Sequence, residues 1–232
     1  ISHNLGSVPG MILVKRTDTI ENWHVYHRST GATKYLTLDT NNAEATGSSI
    51  WNDTTPTSTN FTVGTNGAVN GSGATYVAYV FAHDDQLFGT NSDESIIKCG
   101  SYTGNGNTEG PTIDLGFEPQ FVFLRCTTRP GSHGGGWYLF NHMQGINTGS
   151  TDKTVQAQEA NAEASSSNAD IALTPTGFQA TGTGVHSNAS GGTYIYMAIR
   201  RPNKPPEAAT EVFAIGRQGE VNSGSLPSYH SN

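Results

Sequence analysis

The side chains best suited to bind a ligand are aromatic residues with small polar neighbours. Trp51 is the clearest case, because it stands in a turn-rich segment directly before Asn52 and Asp53. Tyr26 and Tyr138 lie on or near the ends of predicted strands. Aromatic rings stack on the faces of sugar rings, while amide and carboxylate groups bind sugar hydroxyls. These five residues are therefore the candidate glycan-binding set, with core packing as the alternative for each ring.

The three tryptophans have different interpretations. Trp23 and Trp137 occupy matching places in an internal repeat, which is typical of a structural ring, so we expect both in the core. Trp51 has no tryptophan counterpart in the other copy. We therefore expect Trp51 to be the most exposed aromatic residue.

Residues with catalytic or metal-binding chemistry are present, but they form no specific pattern. The sequence contains no Gly-x-Ser-x-Gly, His-Glu-x-x-His, Cys-x-x-Cys or Walker motif. His24 and His27 are three apart in a predicted strand, which puts them on opposite faces. The segment 83–85 (His-Asp-Asp) could hold a hard cation, although a solvated turn is the simpler interpretation. We therefore expect no catalytic residue, no metal site and no cofactor.

Acidic residues leave one enzymatic alternative open. Glycoside hydrolysis needs two carboxylates that can be distant in sequence. Glu44 and Glu163 match in the repeat, and we interpret them as structural loop carboxylates that accept backbone N–H groups. A non-enzymatic protein is favoured, and a polysaccharide-degrading enzyme is the alternative.

The chain repeats itself in five blocks that recur in the same order, which indicates a tandem duplication. A connector segment, 94–100, is also echoed by 211–216. The matched blocks are 5–15 with 115–125, 23–26 with 137–140, 42–45 with 161–164, 56–61 with 175–178, and 70–77 with 188–195.

Short apolar runs with a period of two predict strands separated by Gly- and Asn-rich turns, and no dependable helix. In the first copy the predicted strands are 11–16, 23–28, 34–39, 60–64 and 75–82, the last of them a central strand. The fold class is therefore all-β: two tandem antiparallel β-sandwich modules of jelly-roll or lectin type, either separate or merged into one double-sheet body. Residues 1–92 form the first repeat, 93–216 form the second repeat with its connector strand, and 217–232 form a polar tail.

Composition and charge limit the classes of molecule that the chain is expected to bind. Charged residues make up 13% of the chain and the formal net charge is −7, which disfavours nucleic acid and anionic lipid. No apolar run is long enough to span a membrane, so we expect no membrane insertion. Cys99 and Cys126 do not match in the repeat, and we interpret them as two free thiols. The first residues read as the interior of a longer polypeptide.

Longer phrases resemble a known repeat domain. They are His-x-Leu-Gly-x-x-Pro-x-Met-Ile-x-Val-Lys-Arg from His3, Trp-x-Val-Tyr-His from Trp23, and Thr-Tyr-Val-Ala-Tyr-x-Phe-Ala from Thr75. Gly-Ser-Tyr-Thr-Gly-Asn-Gly from Gly100 and Tyr-Ile-Tyr-Met-Ala-Ile-Arg-Arg from Tyr194 complete the set. Together they resemble an uncharacterised duplicated domain of virion proteins from marine and cyanobacterial tailed phages.

The resemblance implies a structural role on a virion surface, in a tail fibre, an appendage or a capsid decoration. It implies other virion proteins as partners, a homo-oligomer that is a trimer if the protein is fibre-like, and a host-surface glycan as a candidate ligand. It supplies no catalytic residue.

Overall fold

Short antiparallel strands are the main regular secondary structure of the residues that the structure describes. The computed structural model describes residues 1–89, 91–128, 135–146, 152–165 and 170–201. The strands are β1 (Met11–Arg16), β2 (His24–His27), β3 (Lys34–Thr37), β4 (Ala45–Thr46), β5 (Tyr76–Phe81), β6 (Ile97–Thr103), β7 (Thr112–Asp114), β8 (Pro119–Cys126), β9 (Trp137–Asn141), β10 (Lys153–Gln156), β11 (Ala164–Ser165), β12 (Ile171–Thr174), β13 (Gly177–Ala180) and β14 (Thr193–Arg200). Two one-turn helices, α1 (Ser48–Trp51) and α2 (Gly67–Asn70), and a 3-10 turn at His142–Gln144 complete the set.

Both copies of the repeat build a sheet with the same strand order. The first sheet has the order β4-β3-β2-β1-β5, and every neighbouring pair is antiparallel. The second sheet has the order β11-β10-β9-β8-β14-β6. Its first five strands are the sequence counterparts of the first sheet, taken in the same order. The second sheet differs in having a sixth strand, β6, paired with β14.

The two sheets pack face to face. Alternate residues of each central strand point into this contact, as the period of a strand requires. The core between the sheets contains Met11, Val25, Leu36, Cys99, Phe123, Trp137, Ile195 and Met197. Residues 1–201 therefore form one compact unit, in which the two sheets share a core.

The outer face of each sheet, which points away from the other sheet, is covered by a different group of elements. Strands β12, β13 and β7 form a third antiparallel sheet, and its Ile113, Ile171 and Phe178 share a core with Val122 and Leu124 of β8. On the outer face of the first sheet, α1, α2 and the loop at Phe61 take that place. The layers are thus the third sheet, the second sheet, the first sheet and a cap of loops and short helices.

The all-β prediction is confirmed, and the merged double-sheet body is the form that residues 1–201 take. The predicted strand 11–16 matches β1. The predicted strands 23–28 and 34–39 contain β2 and β3; β2 is one residue shorter at each end, and β3 is two residues shorter at its C-terminal end. The domain boundary at residues 92 and 93 stays a prediction, and the segments 211–216 and 217–232 lie outside the described residues.

One strand prediction was wrong. Residues 61–64 form no strand: Phe61 N–H donates to Ile1 O, and Gly64 N–H donates to Ile50 O at 2.7 Å. The predicted central strand, β5, lies at the edge of the first sheet as the described strands form it, so its central position stays a prediction. Its β-branched and aromatic composition matches that of β14, but β14 has a neighbour on both sides and β5 has only β1 among the described strands.

None of the helices in the described ranges has the length and apolar character needed to cross a membrane.

Candidate functional site

Trp51 lies in the core, so the expectation that it is exposed was wrong. Its side chain is 1% exposed, and its ring meets the Tyr26 ring edge-on with centroids 6.0 Å apart. Trp51 ends the one-turn helix α1, which turns the indole inward under the first sheet. Gly64 packs directly against the backbone of α1. A Cβ at position 64 would lie 2.3 Å from Ser49 O, so a larger residue would push the helix away. A sugar ring has no access to the Trp51 face in this conformation.

The other proposed site residues are not assembled around Trp51. Tyr26 is buried in the same core, whereas Tyr138 is buried between the second and third sheets. Gln156 Nε2 donates to the Tyr138 hydroxyl at 3.0 Å, and burial raises the pKa of Tyr138 to about 12. Asn52 and Asp53 are exposed, and both have left-handed backbone angles (φ 52° and 48°) that turn the chain after α1. Their role in glycan binding stays a prediction.

The second copy carries a buried contact between Arg125 and Trp137. The Arg125 Cζ lies 5.1 Å from the centroid of the Trp137 ring. Arg125 Nη1 donates to Thr37 O at 2.5 Å, and Trp137 Nε1 donates to the same oxygen at 2.9 Å. Arg125 also donates to Thr40 O and Asn42 O. Two side chains of the second copy thus bind a loop of the first copy through its backbone carbonyls.

Arg125 is fully buried, and its hydrogen-bond acceptors among the described residues are carbonyl oxygens rather than a carboxylate. Burial lowers the pKa of Arg125 to about 10, so the group stays charged at neutral pH. Carbonyl dipoles and the face of an indole are suitable partners for a buried guanidinium, since both present negative potential.

The equivalent pair in the first copy is Lys15 and Trp23, and both residues are partly exposed to solvent. The local frames match: Trp23 N–H donates to Asp39 Oδ1 at 3.1 Å, and Trp137 N–H donates to Gln158 Oε1 at 2.8 Å. Both tryptophans are therefore held by equivalent bonds, but Trp23 is half-buried while Trp137 is in the core.

Tyr79 extends this open surface. Its ring stacks on Trp23, with centroids 6.1 Å apart and an interplanar angle of 29°. Tyr79 is 49% exposed, although Phe81 on the same face of β5 packs into the core between the sheets. The exposed carboxylate of Asp39 lies beside Trp23 through the bond to its backbone. We call Lys15, Ile20, Trp23, Asp39 and Tyr79 the Trp23 surface; Ile20, in the loop between β1 and β2, is 98% exposed.

Sequence reasoning missed this surface because it treated matching positions as equally buried. One signal was available in the repeat. Tyr79 stands where the second copy has Met197, so an amphipathic aromatic ring replaces a buried aliphatic side chain. The other was Ile20, an apolar residue in a polar turn.

In the candidate cation segment 83–85, His83 and Asp84 bind other residues of the chain. Asp84 Oδ1 accepts from Ser95 Oγ at 2.8 Å and pairs with Lys98 Nζ at 3.3 Å. His83 Nδ1 accepts from Cys99 N–H. No group of three or more potential metal ligands occurs within the described ranges.

His24 and His27 face opposite sides of the first sheet, as predicted. His27 is fully buried and its Nε2 lies 3.0 Å from Tyr196 O of the second sheet. His24 packs edge-on against Tyr35 on the other side. Burial lowers the pKa of both rings, that of His27 to about 4, so both are neutral at pH 7.

The matched carboxylates Glu44 and Glu163 bind side chains rather than the backbone N–H groups that the sequence predicted. Glu44 pairs with Lys34, and Glu163 lies 4.0 Å from Lys153, which is the repeat counterpart of Lys34. Each pair spans the outer hairpin of its sheet. Cys99 and Cys126 are both free and buried, as expected.

Among the comparisons with known proteins, only the one with family models gave a match. No curated protein and no solved structure gives a significant match. One family model, described as a domain of unknown function (DUF7483), matches residues 1–202, which include both sheets that carry the repeat. The chain therefore belongs to the DUF7483 family.

Proposed function

We propose that the chain is a non-enzymatic structural module of a phage virion surface protein that binds a host-surface glycan through the Trp23 surface. The phage assignment is supported by the resemblance of its sequence phrases to a duplicated virion domain. The glycan assignment is supported by one observation: the open Trp23–Tyr79 stack in the first copy, whose counterpart in the second copy is closed.

The duplication explains how one of two equivalent surfaces becomes available. In the second copy, Arg125 and Trp137 bind backbone carbonyls and hold the two sheets together. In the first copy, Lys15 donates to the nearby Glu21 O, and Trp23 stacks on an exposed tyrosine. One copy thus stabilises the body while the other presents its ring to solvent.

The Trp23 surface has the chemistry that a sugar needs. The partly exposed indole of Trp23 and the half-exposed phenol of Tyr79 provide apolar faces for the C–H groups of a pyranose ring. Asp39 and Lys15 provide an acceptor and a donor for hydroxyl groups nearby. A single shallow site of this kind is weak, so a homo-oligomeric fibre or appendage would raise the avidity by presenting several sites at once.

A glycan array with the purified chain tests the proposal. We expect specific binding that Tyr79→Ala abolishes, because half of the stacking platform is removed. Phe88→Ala is the matched control, since Phe88 is a similarly exposed aromatic residue, 44% against 49%, outside the surface. Asp53→Asn tests the turn after α1, because asparagine tolerates the same backbone angle and removes only the charge.

The outcomes are distinguishable. Binding that survives Tyr79→Ala but is lost in Asp53→Asn would return the site to the turn at Asn52 and Asp53. A folded chain that binds no glycan would contradict the attachment role and leave a purely structural part. Release of new reducing ends from a bound polysaccharide would contradict the non-enzymatic proposal.

A further inference from the structure

Among the described strands, β5 lies at the edge of the first sheet, and its own sequence lacks the usual protective residues. It spans Tyr76–Phe81, and its sequence, Tyr-Val-Ala-Tyr-Val-Phe, contains no charge and no proline. Within the described part of the chain, β1 is the only strand that pairs with it. Natural proteins normally protect a long apolar edge with charges, proline, a bulge or a covering segment, because its free N–H and C=O groups can pair with another strand.

The counterpart of β5 in the second sheet shows what occupies this edge. Strand β14 pairs with β8 on one side and with β6 on the other, over seven register pairs from Thr193–Thr103 to Ile199–Ile97. Strand β6 also adds side chains: the Tyr102 ring stacks on Tyr194, with centroids 5.0 Å apart. The repeat unit is therefore complete only with a sixth strand, and the first sheet has five.

The fit between β6 and β14 depends on particular small residues. Gly100 passes the Tyr196 ring so closely that a Cβ would lie 2.4 Å from the hydroxyl oxygen. On β5 the residue that matches Tyr196 is Ala78, which is exposed. The edge of β5 therefore presents more room than the edge of β14, and an apolar strand with larger side chains can approach it.

The sequence contains a second β6-like phrase. Glu94-Ser95-Ile96-Ile97-Lys98-Cys99-Gly100 leads into β6, and Glu211-Val212-Phe213-Ala214-Ile215-Gly216 repeats its pattern of an acidic residue, an apolar run and a glycine. This second phrase lies outside the described residues. It follows the second copy in sequence just as β6 follows the first.

We propose that residues 211–216 of a second copy of this chain add to the open edge of β5 as the sixth strand of the first sheet. Main-chain hydrogen bonds would give the affinity, and the alternate side chains would give the register, as in other cases of strand addition. The contact is heterologous, since a tail meets a sheet edge, so it builds a ring or a longer assembly. The inference does not depend on glycan binding.

The mass of the full chain in solution tests the proposal, with two matched alanine-to-proline variants. Ala214→Pro removes a backbone donor inside the phrase and cannot continue a ladder. Ala208→Pro makes the same change outside it. By sedimentation or light scattering across a concentration series, we expect wild type and Ala208→Pro to self-associate, and Ala214→Pro to associate at least roughly tenfold more weakly.

Hydrogen exchange at β5 supplies a second readout. In the assembled protein, we expect the outward amides of Tyr76–Phe81 to exchange more slowly than in Ala214→Pro. A synthetic peptide of residues 209–218 should bind Ala214→Pro and restore that protection. Unchanged mass and unchanged β5 exchange in Ala214→Pro would overturn the proposal. A monomeric wild type whose β5 protection is lost in Ala214→Pro would overturn the second copy as the source of the strand.

Discussion

Arg125 and Trp137 donate hydrogen bonds to the same carbonyl oxygen, that of Thr37, which belongs to the other copy of the repeat. The guanidinium also lies over the indole ring, at 5.1 Å from its centroid. Arg125, Trp137 and the C-terminal end of β3 thus join the two sheets, and within the described ranges no carboxylate pairs with the Arg125 guanidinium. The equivalent residues of the first copy, Lys15 and Trp23, make no such contact and remain at the surface.

Replacing Arg125 should destabilise the whole body. Arg125→Met keeps much of the length and packing but removes the Arg125 donor from the carbonyls of Thr40 and Asn42, and leaves that of Thr37 with the Trp137 bond. We expect a loss of about 3 kcal/mol in the free energy of unfolding, because one buried acceptor and two part-buried ones lose a charged partner. Urea denaturation measures the loss. Arg16→Met is the control, since Arg16 pairs with exposed Asp18 and should change stability little. Equal effects at both positions would contradict the role of the buried contact.

The stability of the protein should fall in mild acid because of His27. Burial lowers its pKa from 6.5 to about 4, so the unfolded chain binds a proton in a range where the folded chain does not. The stabilisation is therefore fully present above pH 6.5 and is lost as the pH falls toward 4, by up to about 3 kcal/mol. Denaturation midpoints at a series of pH values measure this slope.

The variant His27→Gln should flatten that dependence, since glutamine can still donate to Tyr196 O but does not titrate. A smaller slope should remain, because burial also lowers the pKa of His24. His142→Gln, at an exposed position, should leave the slope as in wild type. Identical slopes in all three proteins would show that His27 is not the group responsible.

Gly10 should tolerate no side chain. A Cβ at this position would lie 2.7 Å from Cys99 Sγ and 2.7 Å from His83 Cβ, where β1 begins and meets the second sheet. We expect Gly10→Ala to cost roughly 2 kcal/mol, because the sheets must separate locally to admit the methyl group. Gly67→Ala is the matched control: its Cβ has no neighbour closer than 3.8 Å, so stability should change by no more than about 1 kcal/mol. Thermal unfolding compares the two, and similar midpoints would contradict the close approach.

The three tryptophans should differ in their access to solvent. Trp51 and Trp137 are each 1% exposed, whereas Trp23 is half-buried. In variants that keep one tryptophan and carry phenylalanine at the other two positions, acrylamide should quench Trp23 several-fold more efficiently than either of the others. If Trp51 is quenched most, the open ring lies at the turn after α1, and the glycan proposal moves with it.

Much of the architecture was accessible from the sequence because strand formation depends on local patterns. The continuous apolar run that ends in charge at Met11–Arg16 predicts β1, and the repeat predicts that the second copy has a strand in the same place, which is β8. The matched blocks then predict that the two copies form sheets with the same arrangement of strands, and the two sheets do share their strand order. These features follow from residues close together in the chain, or from the equivalence of the two copies.

Only the tertiary structure decided which of two equivalent residues is buried. Trp23 and Trp137 have matching sequence positions and matching backbone bonds, yet the loop at Thr37 covers one and leaves the other open. Trp51 stands in a polar turn and is nevertheless inside, because a one-turn helix rotates it under the first sheet. Burial is set by contacts between segments far apart in the chain, and a duplicated sequence specifies the same strands twice without specifying the same neighbours.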